Sequence, residues 1–142
     1  MTDQELLARL IQCEAGGEGD TGMRAVATVV MNRVETLQGE YGRYPTIRDV
    51  IFEPYQFDCA MTTIGGVQNP QNLYNMNPAD EHYDIADWAI GGGKLGAVGN
   101  ALWYYNPFSP ECRQTFPNSS GTFSTRIGEH CFYAPTSDYY LT

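Results

Sequence analysis

Positive charge is scarce in this chain. Its 142 residues hold 8 Lys and Arg against 17 Asp and Glu, a formal net charge of −9. That balance argues against a nucleic-acid partner, whose phosphates call for a basic footprint. It is equally unsuited to anionic membranes and teichoic acids. Long apolar runs are missing: none approaches the ~20 residues of a membrane span, and Met1 to Leu10 lacks the apolar core of a signal peptide. His82 and His130 are the only histidines; they lack ligand-like spacing and there is no HExxH, so neither a metal nor any other cofactor is implied. Cys13, Cys59, Cys112 and Cys131 form no CxxC pair. Cys13 and Cys131 fall inside predicted elements, the usual setting of buried free thiols. If a bridge forms, Cys112–Cys131 is the pairing expected first.

What is present describes one globular domain over residues 1–142. Hydrophobic residues make up 42% and charged residues 18%, outside the disordered range, and the length supports one core rather than two. There is no internal repeat, linker or low-complexity tail. The 10 Tyr, 6 Phe and 2 Trp serve mostly as core, yet they also suit a polysaccharide groove, where ring stacking and hydrogen bonds matter more than net charge.

Thr2 and Glu5 have capping-box spacing, so a first helix is expected over Asp3 to Ala15, ending at Gly16-Gly17. Asp20 or Thr21 is expected to cap a second helix reaching Val34. Met23, Val26, Ala27, Val30 and Val34 make one apolar face, and Ala25 with Val29 another, which predicts a central, buried helix. Thr36 to Tyr44 is a connection. Thr46 caps a short helix, Ile47 to Phe52, and Tyr55 to Asp58 form a loop after Pro54. Thr62 to Met76 is expected to be a mobile rim. Asn77 and Pro78 open a helix that Gly91 to Gly93 stop. Leu102 to Tyr105, Ser124 to Ile127 and Cys131 to Ala134 read as short antiparallel strands, with a polar loop over Pro107 to Gly121.

Glu14 stands out. Leu7, Leu10, Ile11 and Glu14 share one helical stripe, whereas Glu5, Arg9 and Gln12 lie on the polar side. A carboxyl at the inner end of an apolar stripe loses solvation, and its pKa rises. That suits a general acid, which must hold a proton near neutral pH. The plainer alternative is a helix-end carboxylate paired with Arg9, Arg24 or Arg33.

Beyond these local signals, Glu14-Ala15-x-Gly17-Glu18, Gly22 and Ala25-Val26-Ala27-x-Val29-Val30-x-Asn32-Arg33-Val34 resemble the signature of the spore cortex-lytic, cell-wall hydrolase family of the SleB/CwlJ type. The likeness continues through Val50-Ile51-Phe52, Gln56-Phe57, Ala101-Leu102-x-Tyr104-Tyr105-Asn106-Pro107 and Ile127-Gly128-x-His130-x-Phe132-Tyr133, in the family's order. The resemblance implies an α+β, mainly helical, lysozyme-like core with a small antiparallel sheet near the C-terminus. It also implies cleavage of peptidoglycan glycan strands at the MurNAc–GlcNAc bond, commonly as a lytic transglycosylase on spore cortex, with Glu14 as the acid. Glu18, Gln56, Phe57, Tyr104, Tyr105, Asn106 and His130 become substrate-binding candidates, and Asn32 and Arg33 are expected to hydrogen-bond the loop carrying Gln56. Two departures stand against it: Gly16 where the family has arginine, and the unaligned stretch Val67 to Asn77. The implied setting is the cell wall or the spore cortex or coat, reached by mother-cell assembly or by lysis as with a phage enzyme. A monomer is expected, with room for an accessory protein.

A glycosidase ordinarily adds a second carboxylate, for which Glu18, Glu53 and Asp58 are candidates. A lytic transglycosylase needs only one, because the muramic 6-hydroxyl replaces water as nucleophile. Two rival readings come from other classes. One is a cysteine peptidase or amidase using Cys59 with His130 or His82 as base. The other is a non-catalytic glycan-binding module in which Glu14 is structural.

Overall fold

The Thr2 hydroxyl accepts the Glu5 N–H at 3.1 Å and starts α1 (Asp3–Ala15) in the computed structural model, which describes residues Met1–Thr142. Leu6, Leu7, Leu10 and Ile11 on this helix are fully buried. The next helix, α2 (Gly19–Glu35), starts earlier than Asp20 or Thr21 would place it, with Glu18 at the N-cap position and no side-chain cap. The left-handed turn between the helices is made at Gly19, φ 77°, whereas Gly16 stays in right-handed helical backbone. Gly16 is therefore not demanded by its own conformation.

The α2 helix is buried on two sides, as its sequence predicts. Met23, Val26, Ala27 and Val30 join the core shared with α1, with α3 (Ile47–Phe52) and with α4 (Asp80–Ile90). Ala25 and Val29 face a separate cluster with Val98, Ala101 and Phe132. Fully burying one valine or leucine contributes roughly 1.5–3 kcal/mol relative to leaving it exposed, so this double-sided helix is a main source of stability. Thr46 caps α3 by accepting the Asp49 N–H at 3.1 Å. The connection before it holds a 3-10 turn, Glu40–Arg43.

Two further expectations change. The fourth helix starts at Asp80, not at Pro78, because His82 Nδ1 accepts the Ala79 N–H at 2.9 Å and supplies the cap that Asn77 does not. The stretch Thr62 to Met76 is a tied structure and not a loose rim. It contains a hairpin of β1 (Thr63–Ile64) and β2 (Val67–Gln68). The Asn69 amide donates to the carbonyls of Asp58 and Met61, Leu73 is buried, and Arg9 donates to the carbonyls of Leu73 and Met76 at 2.9 Å.

Near the C-terminus, β3 (Trp103–Tyr105), β4 (Gly121–Ile127) and β5 (His130–Pro135) form an antiparallel sheet in the order β3-β5-β4. Register pairs Trp103 with Tyr133, Tyr104 with Phe132 and Tyr105 with Cys131. Strand alternation then sends Trp103, Tyr105, Tyr133 and Cys131 to one face, and Tyr104 and Phe132 to the face toward α2. Trp103, Tyr133 and Cys131 belong to an aromatic cluster with Tyr41 and Tyr139.

The cysteines correct the expectation of free thiols at Cys13 and Cys131. All four are paired, as Cys13–Cys59 and Cys112–Cys131. The second pairing is the one expected first. The first joins the end of α1 to the turn after Phe57, a closure that spans 46 residues and has no local signal. With its sulfur bonded and the residue buried, Cys59 offers no nucleophile, and the cysteine-peptidase alternative is removed. No helix is long and apolar enough to cross a membrane.

Candidate active site

The last turn of α1 sets Glu14 against the sheet. Because Ile11 and Ala15 on that helix are buried, Glu14 is carried to the edge of the core, half-buried and open on one side to a cleft of about 340 Å³. Gln56, Phe57, Asp58, Tyr104 and His130 line the same cleft. Burial first, and then the charge of Asp58, raise the Glu14 pKa from 4.5 to about 7 against the opposing charge of Arg33. None of Arg9, Arg24 and Arg33 makes an ion pair with Glu14; Arg9 pairs with Glu5 and Arg24 with Asp20.

Arg33 is the polar exception on the buried helix, only 4% exposed. Its Nε donates to the Leu102 carbonyl at 2.6 Å and its Nη1 to Gln56 Oε1 at 3.3 Å. Its guanidinium lies 4.5 Å above the Tyr41 ring and 5.1 Å above the Phe57 ring. Arg33 thus bonds the Gln56 loop as expected, whereas Asn32 bonds the Gly99 and Ala101 carbonyls instead. Tyr41 also donates to Gln56 Oε1, at 2.9 Å. With both neighbours donating to the amide oxygen, the Gln56 Nε2 donor is left for a ligand.

Tyr104 presents a buried hydroxyl with no hydrogen-bond partner in the protein. Burial raises its pKa well above the usual tyrosine value, and the Glu14 charge adds to the rise, so the hydroxyl keeps its proton. His130 sits edge-on to the Tyr104 ring, centroids 5.0 Å apart. Burial lowers its pKa more than Glu18 and Glu129 raise it, which favours the neutral imidazole near pH 7. Tyr105 lines the cleft while its ring stacks on Phe116 at 4.4 Å. Asn106 also lines it, and its Oδ1 accepts the Phe108 N–H at 2.7 Å, making it a turn residue as well.

Glu18 departs from its expected place. It does not line the cleft; its Oε2 accepts the Glu129 N–H at 3.3 Å and its Oε1 lies 3.8 Å from His130 Nδ1. A Cβ on Gly128, φ 57°, would collide with that carboxylate, so glycine is required there twice over. Glu18 therefore packs behind His130 against the β4–β5 turn. Glu53 lies outside the cleft too, lining a neighbouring depression. Asp58 is the second carboxylate that the fold brings to Glu14. Phe108 is a lining residue for which the sequence carries no signal, since neither periodicity nor the resemblance marks it.

The sequence profile described as Cell Wall Hydrolase matches residues 17–133. The chain belongs to the cell wall hydrolase family. Over 136 residues it is 31% identical to the cell wall hydrolase CwlJ of Bacillus subtilis (strain 168), covering 96% of this chain and 87% of that one. The catalytic domain of SleB from Bacillus cereus superposes with a TM-score of 0.67 at 29% identity, over 92% of this chain and 88% of that domain. The catalytic domain of the germination-specific lytic transglycosylase SleB from Bacillus anthracis gives 0.66 at 27%, over 92% and 93%. The α+β fold is thus the lysozyme-like one of these family members. The profile match begins just past Glu14, so family membership does not by itself assign that carboxyl a role.

Proposed function

We propose that this protein cleaves peptidoglycan glycan strands at the MurNAc–GlcNAc bond as a lytic transglycosylase, with Glu14 as general acid and then general base. The observation that carries the reading is a carboxyl raised to about 7 that opens onto a cleft. At neutral pH such a group holds a proton about half the time and can also take one back. Glu14 gives its proton to the leaving GlcNAc O4 as the C1–O4 bond breaks. The muramic 6-hydroxyl then closes on C1, its proton passes to the Glu14 carboxylate, and the strand ends in 1,6-anhydro-MurNAc without consuming water. Gln56 Nε2 is a donor available to the sugars, and the Tyr104 hydroxyl is buried without a partner in the wall of the same cleft.

Asp58 favours one second reading, a hydrolysing glycosidase in which Asp58 activates water. Product analysis of digested peptidoglycan separates the two. Anhydro-muramyl ends by mass spectrometry are expected, and new reducing ends would shift the assignment to hydrolysis. New free amines, or no release at all, would sink both.

The acid must be protonated first, so cleavage is expected to fall as pH rises through about 7. Asp58→Asn removes a charge that raises Glu14, and the falling limb should move to lower pH while anhydro product persists on the acid side. Loss of turnover at every pH would instead make Asp58 the base for water.

The substrate is proposed to be spore cortex or vegetative wall, in keeping with relatives named for cell wall hydrolysis and germination. Two disulfides suit a place outside the reducing cytosol. A monomer with no nucleic-acid or membrane partner is the working state, and an accessory protein is compatible with it.

A further inference from the structure

Tyr55 and Phe108 are the only residues other than glycine with positive φ, at 65° and 51°. Both are large aromatics, 86% and 88% exposed. Tyr55 follows Pro54 in a turn closed by the Gln56 N–H on the Glu53 carbonyl at 3.2 Å, at the position that ordinarily takes glycine. Phe108 is held in its turn by the Asn106 side chain. A bulky residue in left-handed backbone is an outlier, and such strain gathers at ligand-binding sites. Neither ring gains burial in return.

Both rings stand on one groove system. Phe108 lines the Glu14 cleft. Tyr55 lines two flanking depressions of about 390 and 340 Å³. The first shares Phe57 with the cleft, and the second shares Arg33, Gln56 and Tyr104. We infer that Tyr55 and Phe108 are stacking platforms for the apolar faces of N-acetylhexosamine rings, along a groove that extends the Glu14 cleft to take a polymeric glycan. The inference rests on the glycan-cleaving reading and adds where sugars beyond the scissile pair are held. A pyranose has a C–H-rich face, which an exposed aromatic face recognises without charge.

The test uses the full chain with Tyr55→Gly, Phe108→Gly, Tyr55→Phe and Phe108→Tyr, assayed on soluble peptidoglycan glycan strands. Each glycine variant is expected to raise KM roughly tenfold with kcat unchanged, equivalent to about 1.4 kcal/mol of lost binding. Its melting midpoint should hold or rise, because glycine accepts the left-handed turn. The ring-preserving variants should keep the parental KM. Parental KM in both glycine variants, or equal losses in the ring-preserving ones, would overturn the inference while leaving the cleavage chemistry standing. Should the parent release no fragments, the proposed function fails separately, and co-pelleting with insoluble peptidoglycan decides this point. Pelleting lost in the double glycine variant supports the rings, whereas unchanged pelleting or none overturns them.

Discussion

Glu14→Gln is expected to lower the proposed glycan cleavage by roughly a thousandfold or more and, at the same time, to make the protein more stable above pH 7. The first effect follows from removing the proton that the leaving oxygen needs, a contribution of about 10²–10⁴ for general acid catalysis alone. The second follows from the raised pKa. A carboxyl whose folded value is about 7 against an ordinary 4.5 favours folding in its protonated form. That contribution is whole below about pH 4.5 and is lost as pH rises through about 7. Glutamine is neutral throughout, so the variant should match the parent at pH 4 and exceed it at pH 8, by up to about 3 kcal/mol. Melting curves at the two pH values, beside the cleavage assay, make the check. Near-parental turnover would remove Glu14 as the acid. A variant that is inactive and equally destabilised at both pH values would mark Glu14 as a structural residue, as a non-catalytic binding module requires.

Replacing Cys13 and Cys59 together by alanine is expected to lower the melting midpoint by about 10 °C and to reduce the proposed cleavage. Closing a loop of 46 residues stabilises a fold by about 2–4 kcal/mol through the unfolded chain, and in a domain of this size each kcal/mol moves the midpoint by about 2–4 °C. Activity suffers for a local reason. The bond joins the neighbour of Glu14 to the neighbour of Asp58, so its loss frees the two carboxyls and Phe57 from a common frame. The matching Cys112 and Cys131 alanine pair should relax the loop before β4 instead and cost stability with less effect on turnover, since Cys131 belongs to the cluster on the sheet face opposite Tyr104. Calorimetry with kinetics on both pairs is the measurement. A Cys13/Cys59 variant with unchanged midpoint and turnover would refute this account.

The helices were legible because their signals act over three or four residues. Thr2 and Thr46 cap where their spacing says, α1 and α3 end at their expected residues, and the two apolar faces of α2 predict its burial on both sides. The position of Glu14, though not its role, was legible for the same reason, since the periodicity that buries Ile11 carries the carboxyl to the edge of the core. Boundaries failed where a different side chain supplied the cap, as His82 does for α4.

What the chain's own order determined, then, is everything written within a helical turn: the caps, the stripes and a carboxyl held at the end of one. Only the tertiary structure decided which sulfur meets Cys13, that Glu18 turns away to the Gly128 corner while Asp58 comes to the cleft, and that Phe108 stands on its rim. Those pairings join residues 40 to more than 100 positions apart. They are set by how the helices and sheet close on one another, and no short-range preference encodes that closure.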